Sequence, residues 1–182
     1  MAMKGDLGKL GASGNFSAFT RPRYDGLSIV NIAPTIAHLL NAGTFDGLEL
    51  GHLAGMDRDF EHVVLFVVDA FGYNLLARMK QARELFDLAF PRKVAKRALL
   101  TSVFPSTTAA ALTSMFTGLT PSEHGMLGYT LFLKEVGSVV NMISLSPAND
   151  WGRSRIFDLG FTPDRLLPCQ KLTESLSKAG MP

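Results

Sequence analysis

The run Val63-Val64-Leu65-Phe66-Val67-Val68 is apolar at every position and closes on Asp69. Six consecutive β-branched, aliphatic or aromatic residues without alternation predict a strand over 62–69 that is covered on both faces, as in a parallel sheet. The period then changes. Leu75, Leu76, Met79, Leu85 and Phe86 recur at helical spacing after Asp69, and Pro91 stops that helix. A second strand, 98–104 (ALLTSVF), runs into Pro105, and a helix over 108–118 (TAAALTSMFTG) follows, with Gly118 placed as its C-terminal cap.

Outside this centre the pattern is weaker. Residues 28–41 predict a short helix or turn–helix with Pro34 in its first turn. Residues 129–146 predict a hairpin turning at Glu135-Val136-Gly137. The stretch 147–168 is irregular, and 171–180 is an amphipathic helix closed by Gly180. Strand–helix–strand–helix order predicts an α/β fold, a mostly parallel sheet flanked by helices. Residues 1–25, rich in Gly and Ser, are expected to form a flexible arm, and 26–182 a single α/β unit.

Composition narrows the function classes. Hydrophobic residues make up 47% and charged residues 19%, below the roughly 25% charge of an average soluble domain, so some surface expects cover. A net charge of +2 without a Lys/Arg run argues against a nucleic-acid-binding surface. The single Cys169 excludes an internal disulfide and a cysteine zinc cluster, and reads as an inert packed thiol. No apolar run approaches the roughly 18 residues of a spanning helix. The N-terminus lacks the apolar core of a secretory signal, so the expected compartment is the cytoplasm if Met1 is the true start.

Ligands of open α/β sheets sit at the carboxyl ends of the strands. Asp69 falls there, and Thr107 and Thr108 follow the second predicted strand and open a helix. Asp69 is read equally well as a cap for the next helix or as a carboxylate ligand of a divalent cation. Ser106, Thr107 and Thr108 are good N-cap residues. A hydroxyl at a helix N-terminus also faces unpaired N–H groups that suit a phosphoryl oxygen. A threonine hydroxyl needs a base or metal to attack, and no His or Lys is near in sequence. His38, His52, His62 and His124 read as packed or loop residues, and Asn141, Asn149, Asp150 and Asp158 as turn formers.

Together, VVLFVVDAFGYNLL and TSVFPSTTAAALTSMFTGLTPSEHGMLGY resemble the alkaline phosphatase superfamily, in its type I phosphodiesterase / nucleotide pyrophosphatase branch. The resemblance is carried by Asp69-Ala70-Phe71-Gly72, with Ala where the family usually has its first Gly. It is carried also by Thr117-Gly118 and by Pro121-Ser122-Glu123-His124-Gly125. It is strong over about residues 60–130.

The resemblance implies a metal-dependent hydrolase of phosphate esters with an alkaline-phosphatase-like core. It implies two divalent ions, zinc or else manganese, and a covalent phospho- or nucleotidyl-enzyme. It makes Thr108 the nucleophile, with Thr107 as the alternative, and Asp69 and Thr108 metal ligands. The substrate would be a phosphate ester or nucleotide, and a homodimer is possible. The family draws most of its metal-ligating Asp and His residues from a C-terminal half that has no counterpart here. The expectation is therefore an incomplete, N-terminal portion of such a domain, with little activity on its own. A same-fold phosphomonoesterase or phosphonate hydrolase, and a non-catalytic binding module, are the alternatives.

Overall fold

A computed structural model describes residues 20–43, 45–47, 49–51, 53, 60–91 and 98–181. The expected arm, up to residue 19, and His52 lie outside them. A 3-10 turn at Ile29–Asn31 leads into α1 (Ile32–Leu39). Ser28 caps that turn, and the Asn31 side chain accepts from the Ser28 N–H at 3.0 Å. Pro34 sits in the first turn of α1, where its missing N–H costs nothing.

The single helix expected after Asp69 is two, α2 (Tyr73–Arg78) and α3 (Lys80–Ala89), separated by Met79 in an extended conformation. Then come α4 (Thr108–Thr117) and α5 (Pro121–His124). The predicted hairpin is present as β1 (Thr130–Leu133) and β2 (Ser138–Asn141), paired antiparallel with Thr130 opposite Asn141. β3 (Ser146–Pro147) adds to the β2 edge, also antiparallel. The stretch read as irregular holds two single-turn helices, α6 (Arg155–Asp158) and α7 (Pro163–Leu166), before α8 (Leu172–Lys178).

The chain is thus mixed α/β, but its sheet is not the expected one. The described residues hold a three-stranded antiparallel sheet, β1-β2-β3, and no parallel sheet. Residues 62–68 form no strand or helix and, apart from half-buried Val63, are exposed, and residues 61–68 make no backbone hydrogen bond with any described residue. Apolarity on both faces describes what a strand can bury, and pairing needs a neighbour at its edge. The second predicted strand has met another neighbour. Ile29 N–H donates to the Thr101 carbonyl at 3.1 Å and Thr101 N–H to the Leu27 carbonyl at 2.9 Å, a lone parallel bridge between Ser28 and Thr101.

α4 is the hub of the packing. On one side Ala109 joins Met126, Val140, Met142, Ile156 and Phe161 under the small sheet. On another, Ala110 packs with Val30 and Val103. The third cluster, Ala33, Ala37, Ala42 and Leu172, joins α1 to α8. Small alanines at successive positions let α4 approach two layers closely, so its N-terminus is fixed from both sides.

Candidate functional site

Two local structures build the site. The first is the N-terminus of α4. Thr107 is its N-cap: it is extended, and its Oγ1 accepts from the Ala110 N–H at 3.4 Å while its carbonyl accepts from Ala111 at 2.8 Å. Thr108 is the first helical residue, half-buried, so its side chain leaves the helix at the open end. The N–H groups of Thr108 and Ala109 have no protein acceptor among the described residues. Ser106 is exposed and caps nothing.

The second is the turn at Asp69. Asp69 Oδ1 accepts from the Ala70 N–H at 2.9 Å, which folds the carboxylate back over the turn. Ala70 has φ +58°, the left-handed region in which a Cβ is disfavoured. A residue that crowds its own backbone therefore holds the bend, where glycine would be free of that cost. The remaining oxygen, Oδ2, accepts from the Thr108 hydroxyl at 3.1 Å across a sequence separation of 39. The fold thus brings Asp69 and Thr108 together and engages Thr107 in capping.

None of the described histidines reaches this pair through the contacts they make. His124 is buried. Its Nδ1 accepts from the Met126 N–H at 3.0 Å, which places the neutral ring's proton on Nε2, 2.9 Å from Ser114 Oγ. Burial pushes the His124 imidazole below its ordinary range, against a smaller upward pull from Glu123. His124 therefore orders the turn after α5 and pins it to the middle of α4. Sequence reading missed Ser114 as its partner. The signal was a serine inside an apolar helix, where a hydroxyl needs an acceptor or donor once buried.

Glu123 is held below the usual carboxylate range chiefly by the Thr120 hydroxyl, and also by the Thr120 N–H, each 2.7 Å from Oε2. His38 pairs through Nδ1 with Glu49 at 2.6 Å, beside a cavity of about 200 Å³ also lined by Pro34, Asn41 and Phe45. His62 is exposed.

The loop polar residues have turn roles. Asn141 Oδ1 accepts from Ile143 and Ser144, Asp150 Oδ1 accepts from Gly152, and Asp158 pairs with Arg155 at 3.0 Å. Cys169 is half-buried, and desolvation raises its thiol, which opposes thiolate chemistry.

Asp69 and Thr108 offer two oxygens of the hard type that divalent cations accept, against the four donors of a typical zinc site. Among the described residues no group of three or more His, Cys, Asp or Glu could hold a metal ion. The pair fits part of a coordination sphere and does not fill one. Among the described residues, no helix is long and apolar enough to cross a membrane.

A hydroxyl on a helix N-terminus, hydrogen-bonded to a carboxylate at the end of an apolar segment, defines a class of nucleophile site in α/β chains. The family comparison is more specific. Residues 63–175, more than half of the chain, match the type I phosphodiesterase / nucleotide pyrophosphatase family. The chain belongs to that family, a metal-dependent group of hydrolases within the alkaline phosphatase superfamily. No curated protein and no solved structure matches it.

Proposed function

We propose that this chain carries the nucleophile half of a phosphodiesterase / nucleotide pyrophosphatase site, with Thr108 as nucleophile and Asp69 as the carboxylate that aims it. The observation that carries the reading is the 3.1 Å hydrogen bond from Thr108 Oγ1 to Asp69 Oδ2 at the open end of α4. Asp69 takes the hydroxyl hydrogen, which leaves the Oγ1 lone pairs directed away from the carboxylate. The N–H groups of Thr108 and Ala109 and the positive end of α4 offer phosphoryl oxygens a site that needs no cationic side chain.

In the reaction, the Thr108 oxygen forms a bond to phosphorus as the bond to the leaving alcohol or nucleotide breaks. The hydroxyl proton leaves through Asp69 Oδ2 toward solvent or the departing oxygen. Water then cleaves the phosphothreonine ester. Thr107, committed to Ala110, keeps the helix end in register and takes no part in bond making. Asp69 and Thr108 would supply two of the oxygens for divalent ions, zinc or manganese. Such ions would lower the hydroxyl's pKa and offset phosphoryl charge.

The test is turnover of bis-p-nitrophenyl phosphate and p-nitrophenyl phosphate with zinc or manganese, using the longest reading frame that contains these residues. Thr108→Ala, Thr107→Ala and Asp69→Asn are compared with the parent. Thr108→Ala is expected to lower kcat by on the order of a thousandfold or more, and acid-quenched parent protein to carry a phosphoryl adduct on Thr108. Activity that survives Thr108→Ala but not Thr107→Ala would move the nucleophile to Thr107. A parent that turns over neither substrate with either metal rules out the phosphoesterase reading.

A further inference from the structure

The segment that leads into α4 is held by residues far from it in sequence. Thr101 is tied to residues 23–29 through both its side chain and its backbone. Its Oγ1 accepts from the Arg23 N–H at 2.8 Å and donates to the Leu27 carbonyl at 3.2 Å. Its N–H donates to the same carbonyl at 2.9 Å, and its own carbonyl accepts from Ile29 at 3.1 Å. At the other end Thr107 is fixed as the N-cap. Between these two points there is a single tie. Of the N–H groups of residues 102–107, only that of Phe104 has a protein acceptor among the described residues, and that acceptor is the Tyr24 hydroxyl at 3.3 Å.

Tyr24 is itself well placed to bear on the chain. Its ring is half-buried and packs against the cluster of Val30, Val103 and Ala110. Its carbonyl accepts from the buried Asn31 side chain at 3.4 Å, and that side chain accepts in turn from the Ser28 N–H at 3.0 Å. The phenol is thus anchored through its backbone and its ring before its hydroxyl meets Phe104.

We infer that Tyr24 is a positioning residue for Thr108. The inference rests on the reading of Thr108 as the nucleophile. The Tyr24 hydroxyl sets the course of the chain at Phe104, ahead of Thr108, while the ring packs on the cluster that holds Ala110, just beyond it. Together they fix the start of α4. The Thr108 hydroxyl and the Thr108 and Ala109 N–H groups travel with that helix end, whereas Asp69 stands on a separate segment. Slack at the helix start therefore leaves the phosphoryl-binding N–H groups together and loosens the contact between Thr108 and Asp69. Attack, which needs that contact, suffers more than binding, because a reacting group displaced by about an ångström loses most of its advantage.

Tyr24→Phe keeps the ring and removes the tie. In the reading frame used for the turnover assay, it is expected to lower kcat about tenfold while KM stays within about twofold of the parent. A purely structural role would shift the melt and leave the kcat of the folded protein unchanged. A second readout needs no turnover. Three-bond couplings to the Thr108 methyl, measured by nuclear magnetic resonance on the isotope-labelled full chain, report its χ1 angle. They should show one rotamer in the parent and averaging among staggered rotamers in Tyr24→Phe. The Phe104 amide should exchange with solvent at least about tenfold faster in the variant. Thr108 couplings that are the same in both proteins overturn the inference, with or without turnover. So does an active Tyr24→Phe protein whose kcat equals that of the parent. An inactive parent that shows the expected change in Thr108 couplings ends the phosphoesterase reading and leaves Tyr24 as the residue that places Thr108.

Discussion

Gly118 closes α4 at the end opposite Thr108, and alanine in its place is the most direct test of what holds the helix. Gly118 has φ +70°, where a β-carbon costs about 1–2 kcal/mol. That carbon would also lie 2.9 Å from Phe45 Cε1 and 3.3 Å from Pro34 Cδ. The Phe45 ring tip can swing away, but Pro34 is fixed within α1, so overpacking adds about 1 kcal/mol, the low end of its usual range. Alanine reduces the freedom of the unfolded chain and returns about 0.4–1 kcal/mol. The net expectation for Gly118→Ala is a loss of about 1–3 kcal/mol, or about 3–10 °C in Tm for a chain of this size.

Thermal melts followed by circular dichroism read this directly, and a double-mutant cycle divides it. With Phe45→Ala in the background the ring-tip contact disappears while the Pro34 contact and the left-handed term stay, so the two changes should couple by no more than about 0.5 kcal/mol. Thr108 lies about 15 Å away along the helix, so activity measured well below the melt should not change. A Gly118→Ala protein that melts within a degree of the parent would refute both the backbone argument and the packing argument.

Other expected outcomes follow from the same geometry. Ala70→Gly removes a left-handed alanine and should be neutral to about 1 kcal/mol stabilising once the unfolded-state cost of glycine is counted; a lower Tm would contradict the strain at that turn. Thr107→Ala should cost about 0.5–1 kcal/mol, the low end for an N-cap because its bond is 3.4 Å, whereas Thr108→Ala, at the first helical position, should melt within about 0.5 kcal/mol of the parent; urea titrations separate the two. Stability should fall on acidification. His124 is held below its ordinary value, so the unfolded chain binds its proton first, and the loss begins below about pH 6.5 and continues through the lower folded value. Glu123, also depressed, adds a further loss below the ordinary carboxylate range. His124→Gln should flatten only the upper part of that Tm–pH curve.

What the sequence conveyed depends on the range over which each residue acts. α4, its glycine cap and the hairpin at Glu135-Val136-Gly137 were legible because caps and turns are decided by a few adjacent residues. The meeting of Asp69 with Thr108 was legible only as a convergence, since it depends on two segments 39 residues apart. The parallel sheet was misread for a related reason. VVLFVV states that both faces can be buried, but edge pairing belongs to the partner strand, and 98–104 pairs with 27–29. The break at Met79 has no signal in the pattern, because Leu75, Leu76, Met79, Leu85 and Phe86 continue the helical period straight through it.

The two halves of the site are not equally well held. Thr108 is carried by a helix capped at both ends, with Ala109 and Ala110 buried beside it in two separate clusters. Asp69 is carried by a segment with no backbone partner among the described residues, followed by a left-handed alanine and exposed on its outer face. The precision of the 3.1 Å contact is therefore set by the weaker support, that of Asp69. Catalytic groups lose most of their effect when misplaced by about an ångström. Whatever orders residues 63–68 thus acts on the nucleophile without touching it.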